Sequence, residues 1–245
     1  MKESTQILAG RRPILEVLTS EGEILEILFS AASFKSLKDL LDLAEKRGIP
    51  TRQVDLAEIS RLYDGNHQGV IARIKEFKYF ELEEVLRGKQ NGNRGSFIVI
   101  LDHIQDPFNL GAIIRSACVC GADGVVIPKD RGARITTTVL KAASGACEHM
   151  PIVMVNNLTR TIKELQKKNF WVYAADPCGD EVFAVEFEKN VAVVIGAEHS
   201  GVSRLVKESS DFLIGIPMFG VPLSFNASVA AGIILMDVAR KRRRA

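Results

Sequence analysis

Short apolar stretches separated by polar ones characterise the first part of the chain, from residue 10 to residue 78. Their spacing alternates between a helical period and the every-other-residue period of strands. Helices are predicted at 10–18, 37–44 and 56–63, and strands at 24–29, 52–54 and 69–74. Gly48 follows the second helix in the position of a C-cap. The pattern predicts a small α/β unit.

From Ser96 onward, continuous apolar runs alternate with helix-like segments. The run Phe97–Leu101 contains no polar residue, which is typical of a strand covered on both faces. Strands are predicted at 97–101, 124–127, 152–155, 171–175, 191–195 and 213–216, and helices at 109–120, 136–146, 158–168, 202–207 and 224–243. This alternation predicts a mostly parallel sheet with helices on both faces.

The stretch between the two patterns is polar and rich in glycine. One or two helical turns are predicted over 81–86, and residues 87–95 then offer no apolar face to bury. The predicted organisation is therefore a domain at 1–79, a linker at 80–95 and a larger domain at 96–245.

Composition excludes some classes of protein. The chain has 245 residues, of which 47% are hydrophobic and 25% charged, as in ordinary globular proteins. No apolar run approaches the roughly 18 residues that a membrane span needs, and no signal-peptide core follows the first residues, so a cytoplasmic protein is expected. No Cys-x-x-Cys pair occurs among Cys118, Cys120, Cys147 and Cys178, so we expect reduced thiols and no metal site.

The net charge of +2 does not by itself indicate a nucleic-acid partner. The basic tail at 240–244 has two interpretations that the sequence leaves open. It is either a solvated helix end whose cations suit the helix dipole, or a contact for phosphate groups.

Three loops in the second half follow predicted strands and carry unusual polar residues. The first contains Asn109 and Arg115, the second Glu198, and the third Ser224 and Asn226. Each residue has a structural explanation: Asn109, Ser224 and Asn226 as helix caps, Arg115 as a surface ion pair, and Glu198 as a partner of a helix dipole. Because the carboxyl ends of parallel strands share one edge of a sheet, where ligands bind, the joint occurrence favours a site there. His103 and His199 lie in the same loops, and we expect peripheral polar roles for both.

Other chemistries fit the sequence poorly. No Gly-x-Gly-x-x-Gly follows a strand, and the glycines at 196 and 201 lack the Lys-Ser/Thr of a P-loop. A Gly-x-Ser-x-Gly elbow is also absent from the sequence. A nucleotide-dependent enzyme of another class, such as a dehydrogenase, therefore has weak support.

The three loops resemble the three motifs of the SpoU family of RNA ribose 2′-O-methyltransferases. The matching segments, in order, are 109–115 (NLGAIIR), 195–201 (IGAEHSG) and 216–230, which begins IPM and ends SFNASVA. Residues 10–16 (GRRPILE) and 67–70 (HQGV) are similar to the family's small RNA-binding domain, whose fold is like that of ribosomal protein L30e. The resemblance implies a trefoil-knotted, mostly parallel SPOUT α/β catalytic domain behind an L30e-like α/β domain.

The resemblance also implies an activity and a set of site residues. The activity is S-adenosylmethionine-dependent methylation of a ribose 2′-OH, on a guanosine of 23S rRNA or of a ribosome assembly intermediate, by a homodimer joined through the C-terminal domain. The cofactor pocket falls on Gly196, Ala197, Ile216, Met218 and Phe225, and the catalytic residues on Asn109, Arg115, Glu198, Ser224 and Asn226. A guanidinium stays protonated, so a grip on an RNA phosphate suits Arg115 better than the role of base. Two alternatives remain: a tRNA ribose methyltransferase, or a non-catalytic RNA-binding protein on the same scaffold.

Overall fold

The computed structural model describes residues 5–19, 23–75, 77–87, 95–220 and 224–243. These residues form two compact units, the first ending at Lys78 and the second beginning at Tyr79. Among the described residues, no helix combines the length and the apolar character that a bilayer span requires.

The first unit is a four-stranded sheet between helices. Its elements are β1 (Thr5–Ala9), α1 (Arg11–Thr19), β2 (Ile24–Ser30), a 3-10 helix (Ala31–Leu37), α2 (Lys38–Lys46), β3 (Thr51–Val54), α3 (Leu56–Leu62) and β4 (Val70–Lys75). The strand order is β1-β4-β2-β3, with β2 and β3 parallel and β4 antiparallel to both neighbours. Ile14 of α1 and Leu40 of α2 pack in one core, and Ile59 of α3 packs in another with Leu28 and Ile71.

The prediction for this unit missed β1 and the 3-10 helix. Strand β1 is five residues long and pairs only with β4, so its pattern is too short to show a period. The predicted α/β class is correct.

The second unit is a six-stranded parallel sheet. Its elements are α4 (Leu82–Arg87), β5 (Phe97–Asp102), α5 (Pro107–Val119), β6 (Gly124–Pro128), α6 (Thr137–Ala143), α7 (Ala146–His149), β7 (Ile152–Val155), α8 (Leu158–Gln166), β8 (Trp171–Glu181), β9 (Val191–Gly196), α9 (Arg204–Ser209), β10 (Phe212–Gly215) and α10 (Ala227–Arg242). The strand order is β10-β8-β9-β5-β6-β7, and all neighbours run parallel. The predicted mostly parallel sheet is confirmed.

Helices cover both faces of this sheet. Ile98 and Ile100 of β5 pack in one core with α4, α8 and α9. The alternate residue Val99 is also fully buried, on the face that carries α5, α6 and α10. A continuous apolar run is therefore what β5 needs.

Two predicted boundaries differ from the structure for local reasons. The helix predicted at 136–146 is divided into α6 and α7, because Ser144 (φ 49°) and Gly145 (φ 83°) adopt left-handed conformations. The segment predicted as a linker begins with α4, whose Leu82, Val85 and Leu86 are buried in the second unit. The remainder of that segment, 88–94, lies outside the described residues.

The basic C-terminal segment is bound to the second unit. Neither a solvated helix end nor a phosphate contact describes this arrangement. Lys241 Nζ lies 2.9 Å from Asp237 Oδ2 and donates to the carbonyls of Val182, Phe183 and Val185. Arg242 donates to carbonyls at 95, 96 and 189. Arg240 pairs with the other oxygen of Asp237 at 2.7 Å. Arg244 lies outside the described residues.

We expect Asp237→Ala to lower the free energy of unfolding by about 3–5 kcal/mol, because Lys241 would stay buried without its carboxylate. Glu164→Ala, which removes the exposed partner of Arg160, should cost about 1 kcal/mol or less. Urea denaturation of both variants measures the difference. Equal losses would mean that Asp237 contributes no more than a surface ion pair.

Candidate active site

Three of the predicted catalytic side chains meet at the carboxyl edge of the parallel sheet. Glu198 Oε2 accepts a hydrogen bond from Asn109 Nδ2 at 3.2 Å and another from Asn226 Nδ2 at 3.3 Å. Asn109 lies in the first turn of α5, Glu198 in the loop after β9, and Asn226 at the N-cap of α10. We call this group the Asn–Glu–Asn cluster.

Asn109 is free to reach Glu198 because another residue caps its helix. Asp106 is the N-cap of α5, and its carboxylate accepts from the backbone N–H of Phe108 and, at 2.9 Å, of Asn109. The side chain of Asn109 is nearly buried and points to the second loop. A capping role for Asn109 is therefore wrong.

Asn226 is both a helix cap and a member of the cluster. Its Oδ1 accepts from the backbone N–H of Ser228 at 2.9 Å and from the Ser228 hydroxyl at 2.6 Å. With the amide oxygen held in this way, the amide nitrogen is turned toward Glu198. The start of α10 thus fixes one of the two donors to the carboxylate.

A tight turn presents Glu198. The backbone N–H groups and carbonyls of Ala197 and Gly201 bond to each other at 2.8 and 3.1 Å. Gly201 has a φ of 64°, and a Cβ at Gly196 would lie 2.1 Å from the Gly201 carbonyl carbon. Glycine is therefore required at position 196, where a side chain has no room, and favoured at position 201, where a side chain would strain the backbone.

A cavity of about 320 Å³ opens beside the cluster. All five residues assigned to the cofactor by resemblance line it: Gly196, Ala197, Ile216, Met218 and Phe225. Glu198 and Ser224 line it too, and Ile214, Ala227, Ala230 and Ile234 add apolar walls. The volume is in the range of small-molecule sites. Apolar walls together with exposed backbone at the turn suit a ligand that has an adenine ring and a polar tail.

An ion pair at this cavity was missed in the sequence. Asp176 pairs with Lys207, and both line the cavity. The hydrogen bond from Lys207, together with one from the backbone N–H of Cys178 at 2.8 Å, holds the pKa of Asp176 below its usual value. The sequence did contain a signal for Asp176. It follows the apolar run 171–175 directly, just as the polar residues of the other three loops follow predicted strands.

Two predicted catalytic residues, Arg115 and Ser224, form no hydrogen bond with the cluster among the described residues of one chain. Arg115 is exposed and donates to Ser144 Oγ at 3.4 Å. Six residues separate it from Asn109, which places it about 240° around α5 and about 9 Å along it. Ser224 lines the cavity but is not the cap of α10. Residues 221–223 of the same loop lie outside the described residues.

The two histidines of these loops have different surroundings. His103 has a φ of 59° and contacts the buried carboxylate of Asp102, whose other oxygen accepts from the backbone N–H of Ser203 at 2.6 Å. Asp102 thereby ties the end of β5 to the segment after the Glu198 turn. His199 lines the cavity.

Comparison with known proteins identifies the family. The model of the SpoU rRNA methylase family matches residues 96–236, more than half of the chain. The chain belongs to the SpoU family. A second family model, for substrate binding by RNA 2′-O ribose methyltransferases, matches residues 7–80 of this SpoU protein.

Relatives of this SpoU protein agree with that assignment. It is 38% identical over 244 residues to YacO of Bacillus subtilis, whose name places it in the TrmH family of tRNA/rRNA methyltransferases; the match covers 99% of this chain and 98% of YacO. The solved structure of the SpoU methyltransferase AviRb from Streptomyces viridochromogenes, in complex with AdoMet, has a TM-score of 0.63 at 21% identity, over 98% of this chain and 92% of AviRb. The A. aeolicus TrmH/SpoU tRNA modifying enzyme has a TM-score of 0.56 at 29% identity, over 66% of this chain and 81% of its own.

The resemblance seen in the motifs is thus confirmed. This SpoU protein is an RNA methyltransferase. Its partner is RNA, and a substrate-binding domain precedes the methylase domain. This assignment excludes the alternative of a non-catalytic RNA-binding protein.

Proposed function

We propose that the protein transfers a methyl group from S-adenosylmethionine to the ribose 2′-OH of a guanosine in 23S rRNA or a ribosome assembly intermediate. The observation that carries this proposal is the carboxylate of Glu198, held by two amides beside a nucleoside-sized cavity. The match of residues 7–80 to a substrate-binding model supports the ribose hydroxyl as the acceptor.

The cavity supplies the cofactor's binding surface in this proposal. Gly196, Ala197, Ile216, Met218 and Phe225 line this cavity. The backbone of the first two and the side chains of the other three would hold the adenosine and methionine parts. When bound, the cofactor would supply an electrophilic methyl group, and the carbon–sulfur bond that breaks would leave it as a neutral thioether. The residues of the chain must then place the ribose oxygen in line with that methyl group and exclude water, and positioning of this kind supplies much of the rate.

Glu198 has one carboxylate oxygen to offer the substrate. Both amides donate to Oε2, and among the described residues Oε1 has no hydrogen-bond donor. We assign Oε1 to the ribose 2′-OH, whose proton it accepts as the oxygen attacks. Asn109 and Asn226 position the carboxylate for this step, and Ser224, at the cavity rim, contacts the substrate.

Arg115 completes the site from a second subunit. In one chain it points away from Asn109, so we place the partner subunit's Arg115 at the Asn–Glu–Asn cluster, gripping the phosphate beside the target ribose. Helices α5 and α10 carry exposed apolar residues, which support a homodimer joined through these two helices. Phe108, Val119, Val229 and Met236 are between 49% and 75% exposed.

We expect Met236→Asp to convert the dimer into a monomer, because a carboxylate in an apolar interface is not solvated. Leu205→Asp is the matched control, since Leu205 is 60% exposed on α9, which covers the other face of the sheet. Light scattering coupled to size exclusion gives the masses. A monomeric wild type, or a dimer that survives Met236→Asp, contradicts this interface.

The chain path is consistent with the knot that the family resemblance implies. Strand β10 lies at one edge of the sheet, yet α10 returns to pack on α5 and β9. We propose that the methylase domain contains a trefoil knot. We also propose that the enzyme works in the cytoplasm.

The layout of the chain favours ribosomal RNA over transfer RNA. The A. aeolicus tRNA modifying enzyme covers 66% of this chain, so about a third has no counterpart there. The N-terminal unit, residues 1–78, is close to that length. An added substrate-binding unit suits a target embedded in a large folded RNA.

Methyl transfer to three substrates tests the proposal. Purified enzyme with radiolabelled S-adenosylmethionine should label unmodified 23S rRNA transcript, leave a tRNA pool at background, and leave DNA of the same sequence unlabelled, because DNA lacks the 2′-OH. Labelling of the tRNA pool alone would establish the transfer-RNA alternative. Absence of label in every RNA, including immature ribosomal particles, would overturn the proposed acceptor.

A further inference from the structure

The methylase unit carries a second charged feature at the same sheet edge, in the loop that follows β6. Lys129, Arg131 and Arg134 are exposed, and the loop contains one acidic residue, Asp130. We call residues 129–134 the basic loop. Neither its position nor its charge is explained by the cofactor cavity, which it does not line.

The cations of the basic loop lack carboxylate partners. Among the described residues, no Asp or Glu forms an ion pair with Lys129, Arg131 or Arg134. By contrast, Arg160 on α8 lies 2.9 Å from Glu164, and Arg204 on α9 lies 3.7 Å from Glu208. The basic loop therefore leaves its positive charge available to an anion.

The backbone of this loop is anchored although its side chains are exposed. The Lys129 N–H donates to Val155 O at 2.8 Å, and the Ala133 N–H donates to Ile104 O at 2.7 Å. At the end of the loop, the Ile135 N–H donates to the hydroxyl of Tyr79 at 3.1 Å. Arg131 is held at a φ of 58°, a conformation that costs a non-glycine residue energy. The three cations thus project from a fixed frame.

The position of the loop relates it to the active site. Strands β6, β5 and β9 are consecutive in the sheet, and their carboxyl ends lead to the basic loop, to Asn109 and to Glu198. Strands β6 and β9 are therefore two strand spacings apart, which is about 10 Å. Ile104, which accepts from Ala133, lies two residues before the cap of α5, so the loop and the Asn–Glu–Asn cluster share one rigid segment.

We propose that the basic loop binds the sugar–phosphate backbone of the RNA flanking the target nucleotide. This inference rests on the proposed function and adds a contact surface on the methylase unit, separate from the substrate-binding unit. RNA phosphates are the anions that the reaction brings to this edge, and three unpaired cations in the loop after β6, two strands away from the strand that leads to Glu198, match a run of neighbouring phosphates. The loop positions the substrate and takes no part in the chemical step.

The test is a triple variant, Lys129→Gln, Arg131→Asn and Arg134→Gln, in the full chain. Asparagine tolerates the left-handed backbone at 131, so the fold is retained. The matched control removes three cations from α8 and α9, through Arg160→Gln, Lys163→Gln and Arg204→Gln. Filter binding of unmodified 23S rRNA transcript over a series of salt concentrations, calorimetry with S-adenosylmethionine, and methyl transfer at saturating RNA are measured for each protein.

We expect the triple variant to bind RNA about 10-fold more weakly and to lose about 2 from the magnitude of the slope of log K against log salt. Cofactor affinity and kcat at saturating RNA should match the wild type. A triple variant that binds RNA with the affinity and salt slope of the control overturns the inference. A wild type that methylates no RNA overturns the proposed function instead, so the two failures are distinct.

A measurement on the wild type guards against a variant that does not fold. Acetylation of lysines, read by mass spectrometry, should be suppressed at Lys129 and unchanged at Lys163 when RNA is bound. Equal reactivity of Lys129 with and without RNA contradicts the contact.

Discussion

Glu198→Gln should lower kcat for RNA methylation about 10²- to 10⁴-fold. Glutamine can still accept the two amide hydrogen bonds from Asn109 and Asn226 through its oxygen. Its amide nitrogen then replaces Oε1, and a donor stands where the 2′-OH proton needs an acceptor. The variant therefore preserves the shape of the Asn–Glu–Asn cluster and removes the function assigned to it.

The matched control for this variant is Glu208→Gln on α9, an exposed glutamate in a surface pair. Initial rates with saturating RNA and cofactor, together with melting temperatures, separate loss of chemistry from loss of fold. A rate for Glu198→Gln within a few-fold of that of Glu208→Gln would remove Glu198 from the reaction.

Arg115→Ala should reduce methyl transfer about 10²- to 10³-fold, the cost of removing one well-placed donor to a developing charge. Cofactor affinity should be unchanged, because Arg115 does not line the cavity. Arg115→Lys should recover only part of the rate, since an ammonium lacks the planar fork that grips a phosphate. The control is Arg160→Ala, which removes another exposed arginine. Normal turnover by Arg115→Ala would contradict the catalytic role assigned to Arg115.

Mixed dimers test whether Arg115 acts across the interface. Each site is proposed to combine Glu198 of one subunit with the partner subunit's Arg115. Random pairing of Arg115→Ala chains with Glu198→Gln chains makes half of the dimers mixed, each with one intact site, so activity should return to about one quarter of the wild type. Mixtures as inactive as the separate variants would place both residues in the same subunit.

The strands of the parallel sheet, the order of its elements and the identity of the polar loop residues could be predicted from the sequence. It could not show that Asn109 and Glu198 touch, because 89 residues separate them and their contact depends on β5 pairing with β9. The separation of Arg115 from Asn109 was available from helical geometry alone, since six residues turn a helix by about 240°.

Other features depended on contacts that no local pattern encodes. Lys241 and Arg242 read as a basic tail, yet their acceptors are backbone carbonyls between 53 and 147 residues away. Asp176 and Lys207 were passed over because a single carboxylate after a strand has no specific motif, although the two side chains pair at the cavity. Asn226 combines the predicted cap with a site role, so the two explanations offered for it were not exclusive.

The most direct test of the account is the chemical identity of the methylated nucleoside. Labelled product RNA from the wild-type reaction is digested to nucleosides and separated by chromatography with mass detection. We predict that the label runs as 2′-O-methylguanosine and that Glu198→Gln slows its formation about 10²- to 10⁴-fold. Label on a base, with ribose unmodified, would contradict it.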